Sequence, residues 1–193
     1  MIDSPVANIA SIARALRAAG AELLITADPD EIASSRKLVL PGVGSFAAAM
    51  HWLTEWRIDA AMRAALLGDA FLLGICVGHQ LLFDRSSEMG WRAGLQLVPG
   101  DVRSLEGTLP VPQIGWNRVH GTGPLFDGVP SATPFYFVNS YAAREVTAES
   151  ATADYNGPFT AAVQRGRTFG VQFHPEKSSA AGLRVLRNFV ACR

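Results

Sequence analysis

The sequence predicts an α/β fold: a single domain over residues 1–193, with a central, mainly parallel sheet flanked by helices and a smaller antiparallel sheet. Three observations support this prediction. Strand-like and helix-like segments alternate up to residue 76, which is typical of a doubly wound parallel sheet. The apolar run at residues 70–76 has the continuity of a strand buried on both faces. After Phe83, short β-like runs separated by glycine and proline indicate an antiparallel insertion or edge sheet.

The composition and charge narrow the classes of function. Hydrophobic residues make up 49% of the 193 residues and charged residues 18%, which excludes a disordered chain. The chain has 17 Lys and Arg residues and 17 Asp and Glu residues, so it carries no excess of positive charge. We therefore expect it to bind neither nucleic acid nor a membrane, but a small molecule or the surface of another protein. The only two cysteines are Cys76 and Cys192, and no signal-like segment precedes the fold. We therefore expect a cytoplasmic protein with free thiols.

The first half of the chain shows alternating strand and helix patterns. Residues 1–3 are a strand stub, and the helix after them ends at Gly20 with one apolar face formed by Ile9, Ile12, Ala13 and Leu16. Short strands are predicted at residues 23–26 and 37–40. Residues 46–67 then form one or two amphipathic helices, whose core or packing residues are Trp52, Leu53, Trp56 and Ile58.

The second half is predicted to begin with a helix at residues 79–83, followed by β-like runs at 95–98, 102–105, 118–119 and 135–138. A last helix at residues 178–190 starts with serines that can cap it, and it packs on the sheet through Leu183, Leu186 and Phe189 or Val190. His51 and His120 are expected at the surface, and His79 is expected to be structural. The sequence shows no metal-ligand spacing and no nucleotide-binding glycine motif, so we expect no metal and no cofactor.

Cys76 is the candidate nucleophile. Gly74 and Gly78 lie two residues away on either side, a pattern typical of a sharp strand-to-helix turn. Such a turn strains the backbone of the nucleophile and brings neighbouring chain so close that a Cβ would clash. The start of a helix would favour the Cys76 thiolate, and the Val77 N–H could donate to an oxyanion. Alternatively, Cys76 is only a small apolar residue of the core. A side chain able to act as a base near Cys76 would favour the role of nucleophile.

His174 and Glu176 are the candidate base and its orienting carboxylate. They follow a strand-like segment that ends at Pro175, which has no N–H for a sheet ladder. Residues two apart in an extended segment point the same way, so the imidazole and the carboxylate can lie side by side. This is the half of a triad in which the carboxylate holds one ring nitrogen and the other faces the thiol. Alone, such a pair is more often part of a solvated loop.

A third candidate segment follows the strand at residues 37–40, in Pro41-Gly42-Val43-Gly44. Its two glycines allow a peptide unit to rotate, so that an oxyanion donor could turn toward or away from the site. The alternative is an ordinary strand-to-helix loop. Because sites in parallel sheets lie beyond the carboxyl ends of the strands, this segment, Cys76 and His174 are expected at one edge.

These residues resemble a known family. Gly74-Ile75-Cys76-Val77-Gly78-His79-Gln80, His174-Pro175-Glu176 and residues 40–46 are similar to the motifs of the class I glutamine amidotransferases. Residues 112–117, 136–141 and 174–179 are similar to the glutaminase subunits of imidazole glycerol phosphate synthases, from histidine biosynthesis. The resemblance spans almost the whole chain and implies the fold of that family.

The resemblance also implies roles for individual residues. It implies that glutamine is hydrolysed to glutamate and ammonia through a thioester on Cys76, with His174 and Glu176 completing a catalytic triad. The oxyanion would be stabilised by main-chain groups at four positions, Gly42, Val43, Gly44 and Val77. The amino-acid end of L-glutamine would be held by three residues, Gln80, Ser140 and Tyr141.

A partner protein is implied as well. In the resembled subunits the ammonia passes, within a heterodimer, to a (β/α)8-barrel cyclase, which makes imidazole glycerol phosphate and an aminoimidazole carboxamide ribotide. Carried over by position, the residues that would face it are Asn8, Trp116, Tyr136 and Lys177. From the residues alone, Trp116 is either a packing anchor or an interface anchor. The free subunit would be nearly inactive until partner and ligand turn the Gly42–Val43 peptide.

Three other functions remain open. The family's loop before the first helix commonly reads Tyr-Gly-x-Gly-Asn, whereas this chain keeps Asn8 but lacks both glycines and most of the strand before it. That difference favours a paralogous glutaminase subunit that supplies ammonia to another synthase. A thiol hydrolase of another substrate, such as a peptidase, is a second alternative. A binding or regulatory subunit without chemistry is the third, and the presence of all three triad residue types argues against it.

Overall fold

The computed structural model describes residues 1–4, 8–144 and 146–193. The helices are α1 (Ile9–Ala18), α2 (Pro29–Ala33), α3 (Phe46–Glu55), α4 (Ile58–Leu67), α5 (Val77–Gln80) and α6 (Ser179–Ala191). The strands are β1 (Lys37–Gly42), β2 (Phe71–Cys76), β3 (Phe83–Ser86), β4 (Arg92–Ala93), β5 (Val98–Ser104), β6 (Gln113–Gly121), β7 (Thr133–Asn139), β8 (Tyr141–Arg144), β9 (Glu149–Asp154), β10 (Pro158–Arg165) and β11 (Thr168–Val171). Single turns of 3₁₀ helix lie at Pro124–Phe126 and Pro175–Lys177.

Two sheets carry the fold. The larger has seven strands in the order β1-β2-β11-β10-β9-β6-β7, and the smaller has four in the order β4-β3-β5-β8. The α/β class is confirmed, but the larger sheet is mixed: β1, β2 and β11 are mutually parallel, and β11 through β7 pair antiparallel. The smaller sheet likewise includes one parallel pair, β3 with β5. Short loops such as the two residues between β10 and β11 allow only antiparallel pairing, whereas parallel neighbours need a crossover such as α3 and α4.

The first residues extend the parallel end of the larger sheet. The Ile2 N–H donates to Val39 O at 3.0 Å on one side, and the Thr26 N–H donates to Met1 O at 3.1 Å on the other. The predicted strand at residues 23–26 is reduced to a single bridge between Ile2 and Thr26. Of the altered loop at residues 4–8, positions 5–7 lie outside the described residues.

The helices follow the predicted periodicity with local exceptions. Residues 46–67 form two helices because the backbone breaks at Arg57, which has φ 57°. Leu53 and Ile58 are buried, but Trp56 is 55% exposed, so its assignment to the core was wrong. The helix expected at residues 79–83 is only the four-residue α5, because Phe83 begins a strand of the smaller sheet.

The last helix, α6, buries Gly182, Val185, Leu186 and Phe189, whereas Leu183 is only half-buried. Ser178 at its start makes no side-chain cap, contrary to the sequence prediction. Its hydroxyl is bonded to the main chain of two other residues, described with the site below. Among the described residues, no helix is long and apolar enough to span a membrane.

Candidate active site

Cys76 ends β2 and begins α5 in a strained turn. Its backbone has φ 55° and ψ −110°, a region that a residue with a Cβ rarely occupies. The flanking glycines permit this geometry: a Cβ on Gly78 would lie 2.0 Å from Leu40 O, and one on Gly74 would lie 2.5 Å from Gly78 O. The sharp turn and the requirement for glycine are thus as predicted. The Cys76 side chain is left at the carboxyl end of a buried strand, with the residue 4% exposed.

His174 and Glu176 meet Cys76 at this edge. β11 pairs in parallel with β2, with Val171 opposite Ile75, so the residues after β11 emerge beside Cys76. Cys76 and His174 line the same cleft, and Cys76 lies close enough to raise the pKa of the imidazole. Its Nδ1 lies 2.9 Å from Glu176 Oε1, and the side chains of both residues are almost fully buried, at 5% and 1% exposed. The structure therefore places the thiol and the imidazole at one edge of the sheet, with the carboxylate beside the imidazole.

The main chain of His174 is held from two directions. Its N–H donates to Tyr136 O at 2.8 Å, which attaches it to β7. The Ser178 hydroxyl donates to His174 O at 2.6 Å and accepts from the Tyr136 N–H at 3.0 Å. Ser178 thus bridges the histidine to β7, and these bonds fix the main chain of His174 beside that strand.

The electrostatics favour the protonated form of His174. Burial by itself lowers the pKa of the imidazole, but the hydrogen bonds and negative charges of Cys76 and Glu176 outweigh it and raise that pKa to about 10. At neutral pH the imidazole of His174 is therefore protonated and can act as a proton donor.

A cleft of about 350 Å³ opens above Cys76. Nine of the predicted site residues line it: Val43, Gly44, Cys76, Val77, Gln80, Ser140, Tyr141, His174 and Lys177. Gly42 lies just below, opposite Cys76 in the β1–β2 register, where a Cβ would come within 2.8 Å of Gly78 N. This close approach brings the end of β1 against the start of α5, and Val43, Gly44 and Val77 line the cleft together with Cys76.

The cleft also contains residues that the sequence analysis missed. Among the described lining residues, Glu88 supplies the one carboxylate, with Oε2 accepting the Phe46 N–H at 2.6 Å, and Asn139 lies beside Ser140. No sequence motif marks Glu88, because it lies in a polar loop after β3. Gln172 lies behind the sulfur and is fully buried. The sequence feature that could have indicated Gln172 is its position: it is a polar residue in an otherwise apolar strand-like segment, two residues before His174.

An exposed apolar patch adjoins the cleft. We define it as Ile114 and Trp116 of β6 with Tyr136 and Val138 of β7, paired across the strands. Ile114 is 64% exposed and Trp116 is 54% exposed, and the Trp116 and Tyr136 rings meet edge-on at 5.9 Å. Lys177 Nζ lies 5.7 Å from the centre of the Tyr136 ring and also reaches the cleft, which Val138 lines as well.

Asn8 is separate from this patch along the chain. It is exposed and begins α1, where its Oδ1 accepts the Ser11 N–H at 3.4 Å. The helix that it begins packs against the 3₁₀ turn of Pro175–Lys177. In the described part of the chain, no group of three or more His, Cys, Asp or Glu side chains could hold a metal ion.

Comparison with known proteins agrees with this geometry. The family described as glutamine amidotransferase class-I matches residues 1–192. A protein of Moorella thermoacetica named imidazole glycerol phosphate synthase subunit HisH is 46% identical over 193 residues, covering 98% of this chain and 92% of that protein. The protein of the same name from Methylococcus capsulatus is 45% identical over 205 residues, covering 98% and 94%.

Solved structures share the fold at lower identity. A crystal structure of a glutamine amidotransferase superposes with a TM-score of 0.77 at 17% identity, covering 98% of this chain and 95% of that one. At this identity the likeness concerns the fold alone. With the family match over nearly the whole chain and relatives above 40% identity, the chain belongs to the class I glutamine amidotransferases, within the family of imidazole glycerol phosphate synthase HisH subunits.

Proposed function

We propose that this chain hydrolyses the side-chain amide of L-glutamine and passes the ammonia to a cyclase subunit that makes imidazole glycerol phosphate in histidine biosynthesis. The observation that supports it most is that Cys76 and His174 line the same cleft, with Glu176 Oε1 2.9 Å from Nδ1 of the histidine. The names of the HisH relatives support the pathway, because each is called a subunit of the synthase. Their full-length similarity favours this partner over another synthase.

The proposed reaction uses the thiolate of Cys76 as nucleophile. The sulfur attacks the carboxamide carbon, and the negative charge that moves to the oxygen is stabilised by main-chain N–H groups of Val77 and of residues 42–44. His174 donates its proton to the departing nitrogen, which leaves as ammonia. Water then attacks the thioester with His174 as base, releasing glutamate and restoring the thiol. Glu176 holds Nδ1 of the ring throughout, so that the other nitrogen faces the sulfur.

The amino-acid end of glutamine is zwitterionic and needs complementary groups. Glu88 is the acid in the cleft and can accept hydrogen bonds from the α-ammonium. The two amide hydrogens of Gln80 are already used on Tyr141 O and Gln172 Oε1, so Gln80 offers only its own Oε1 to a ligand. Ser140 and Tyr141 line the same wall. We assign these four residues to substrate binding.

The apolar patch beside the cleft is the proposed docking surface for the cyclase. Exposed aromatic side chains are typical interface anchors, and the exposed Trp116 packs on the half-buried Tyr136, with the Lys177 ammonium near the Tyr136 ring. Because Val138 and Lys177 belong to both the cleft and this region, a protein bound there would cover the mouth of the site. Ammonia could then leave without mixing with bulk water.

The experiment that tests this function measures glutamate released from glutamine with and without the cyclase and its nucleotide ligand. We expect the complex to turn over glutamine and the free chain to be nearly inactive. Cys76→Ala should lower turnover by at least about 10³-fold, because the nucleophile is lost. Cys192→Ala is the matched control and should behave as wild type, since that thiol lies at the end of α6 and outside the cleft.

Three results would contradict the proposal. Normal glutamate release by Cys76→Ala would exclude the thioester route. Equal turnover with and without the cyclase would exclude activation by the partner. Turnover stimulated by another ammonia-dependent synthase, and not by the cyclase, would identify the chain as a paralogous glutaminase.

A further inference from the structure

Gln172 is a buried polar side chain in contact with the sulfur of Cys76. It follows β11 directly, and its main-chain N–H donates to Ala161 O at 2.9 Å, which fixes its backbone. Its Nε2 lies 3.9 Å from Cys76 Sγ, and its Oε1 accepts from Gln80 Nε2 at 3.0 Å. The residue is 0% exposed, so no water competes for these contacts.

The direction of the Gln172 amide is determined by a main-chain carbonyl. Gln80 Nε2 lies 2.9 Å from Tyr141 O, which can only accept, so Gln80 must present its nitrogen there. The same nitrogen is the neighbour of Gln172, so Gln172 must present its oxygen to Gln80. The Gln172 nitrogen is left facing the sulfur. Flipping either amide would place two donors or two acceptors opposite each other. The network therefore allows only one assignment of the amide oxygen and nitrogen atoms of Gln80 and Gln172.

We propose that Gln172 is a positioning residue that donates a hydrogen bond to the Cys76 thiolate, with Gln80 fixing the direction of that donor. The inference rests on the proposed role of Cys76 as nucleophile. A buried thiolate has lost its water, and an N–H donor compensates part of that loss and holds the side chain in one rotamer. The 3.9 Å separation is long for such a bond, as catalytic hydrogen bonds often are before substrate binds.

The same network connects the cleft to the nucleophile. Gln80 lines the cleft, whereas Gln172 lies behind the sulfur. A ligand that moves Gln80 would therefore also move the Gln172 donor. Substrate binding and thiolate positioning are coupled through two amide side chains.

The test is the pH profile of Cys76 alkylation by iodoacetamide in Gln172→Met, measured by mass spectrometry of the Cys76 peptide. Methionine keeps the length of the side chain and removes the donor. We expect the pH midpoint of alkylation to rise by about one pH unit, so that the rate below the midpoint falls about tenfold. Gln113→Met, which alters another buried glutamine, is the matched control and should leave the profile unchanged. The Cys192 peptide is the internal reference in every sample.

A folded Gln172→Met protein with the wild-type profile would overturn the inference. If that variant does not fold, the wild-type protein labelled with ¹⁵N-glutamine decides. The side-chain amide signal of Gln172 should shift when Cys76 is alkylated, and an unchanged signal would also overturn the inference. Neither measurement uses glutamine turnover, so a chain without glutaminase activity could still show the effect. Normal turnover with an unaffected profile would refute only the role of Gln172.

Discussion

His79 is a fully buried histidine whose protonation is coupled to folding. It lies in α5, three residues after Cys76, with its ring edge-on to Phe83 at a centroid distance of 5.0 Å. Neither ring nitrogen has a hydrogen-bond partner among the described residues. Burial lowers the pKa of the imidazole from 6.5 to about 3, so the folded protein holds the ring neutral, as expected for a structural histidine.

The difference in the pKa of His79 between the folded and the unfolded chain determines how pH changes the free energy of unfolding. Between pH 6.5 and 3 the unfolded chain binds a proton at His79 that the folded protein does not bind, so stability is lost as the pH falls through this range. Between pH 7 and pH 4.5 the loss from this one residue amounts to roughly 2 to 3 kcal/mol. That is a large part of the stability of an ordinary domain.

His79→Met should remove this loss, because methionine fills a similar space without titrating. Urea unfolding at pH 7 and at pH 4.5 measures the loss of free energy of unfolding between the two pH values. The free energy of unfolding of the variant should fall by about 2 to 3 kcal/mol less than that of the wild type between the two pH values. His51→Ala, at a side chain 79% exposed, is the control and should follow the wild type. Equal losses in the wild type and His79→Met would refute the reasoning.

Three further predictions concern the site and its surroundings. Glu176→Gln should lower glutamine turnover by about 10²- to 10⁴-fold and lower the pKa of the His174 imidazole, seen as a shifted pH–rate profile; an unchanged profile would contradict the proposed orienting role of Glu176. Gly78→Ala should prevent the turn at the nucleophile, since its Cβ would lie 2.0 Å from a carbonyl oxygen, whereas Gly68→Ala meets nothing closer than 3.4 Å; thermal melting compares the two. Trp116→Ala should weaken cyclase binding by about 30-fold or more in calorimetry, while Trp56→Ala, of equal exposure, should leave it unchanged; equal effects would exclude the patch.

The parallel part of the fold was predictable because its signals are local. The apolar run before Cys76 and the helical periodicity of α1 correspond to β2 and α1 within a residue or two. The antiparallel part was less predictable. Four strands of that region join the larger sheet, and neither their pairing nor the parallel pair inside the smaller sheet has a sequence signature. Sheet membership depends on long-range packing, which a short pattern does not encode.

The features of the site also fall into those that the local sequence predicts and those that depend on tertiary contacts. The positions of Gly74, Cys76 and Gly78 follow from the stereochemistry of one sharp turn, which the structure confirms in the φ of Cys76 and the contacts of the glycines. Ser178 shows the opposite case: a serine expected to cap α6 instead bonds the main chain of Tyr136, 42 residues away. Only the approach of β7 makes that contact available.

The sequence by itself determined the candidate residues of the chemistry, because a nucleophile turn and an imidazole two residues from a carboxylate are local arrangements of the chain. The tertiary structure decided how they meet and what surrounds them. It alone brought Glu88 into the cleft and joined Gln80 to Gln172 across 92 residues of sequence. The physical reason is that backbone strain and side-chain direction depend on residues close in the sequence. Hydrogen-bond partners in a folded core depend instead on the order of the strands in the sheet.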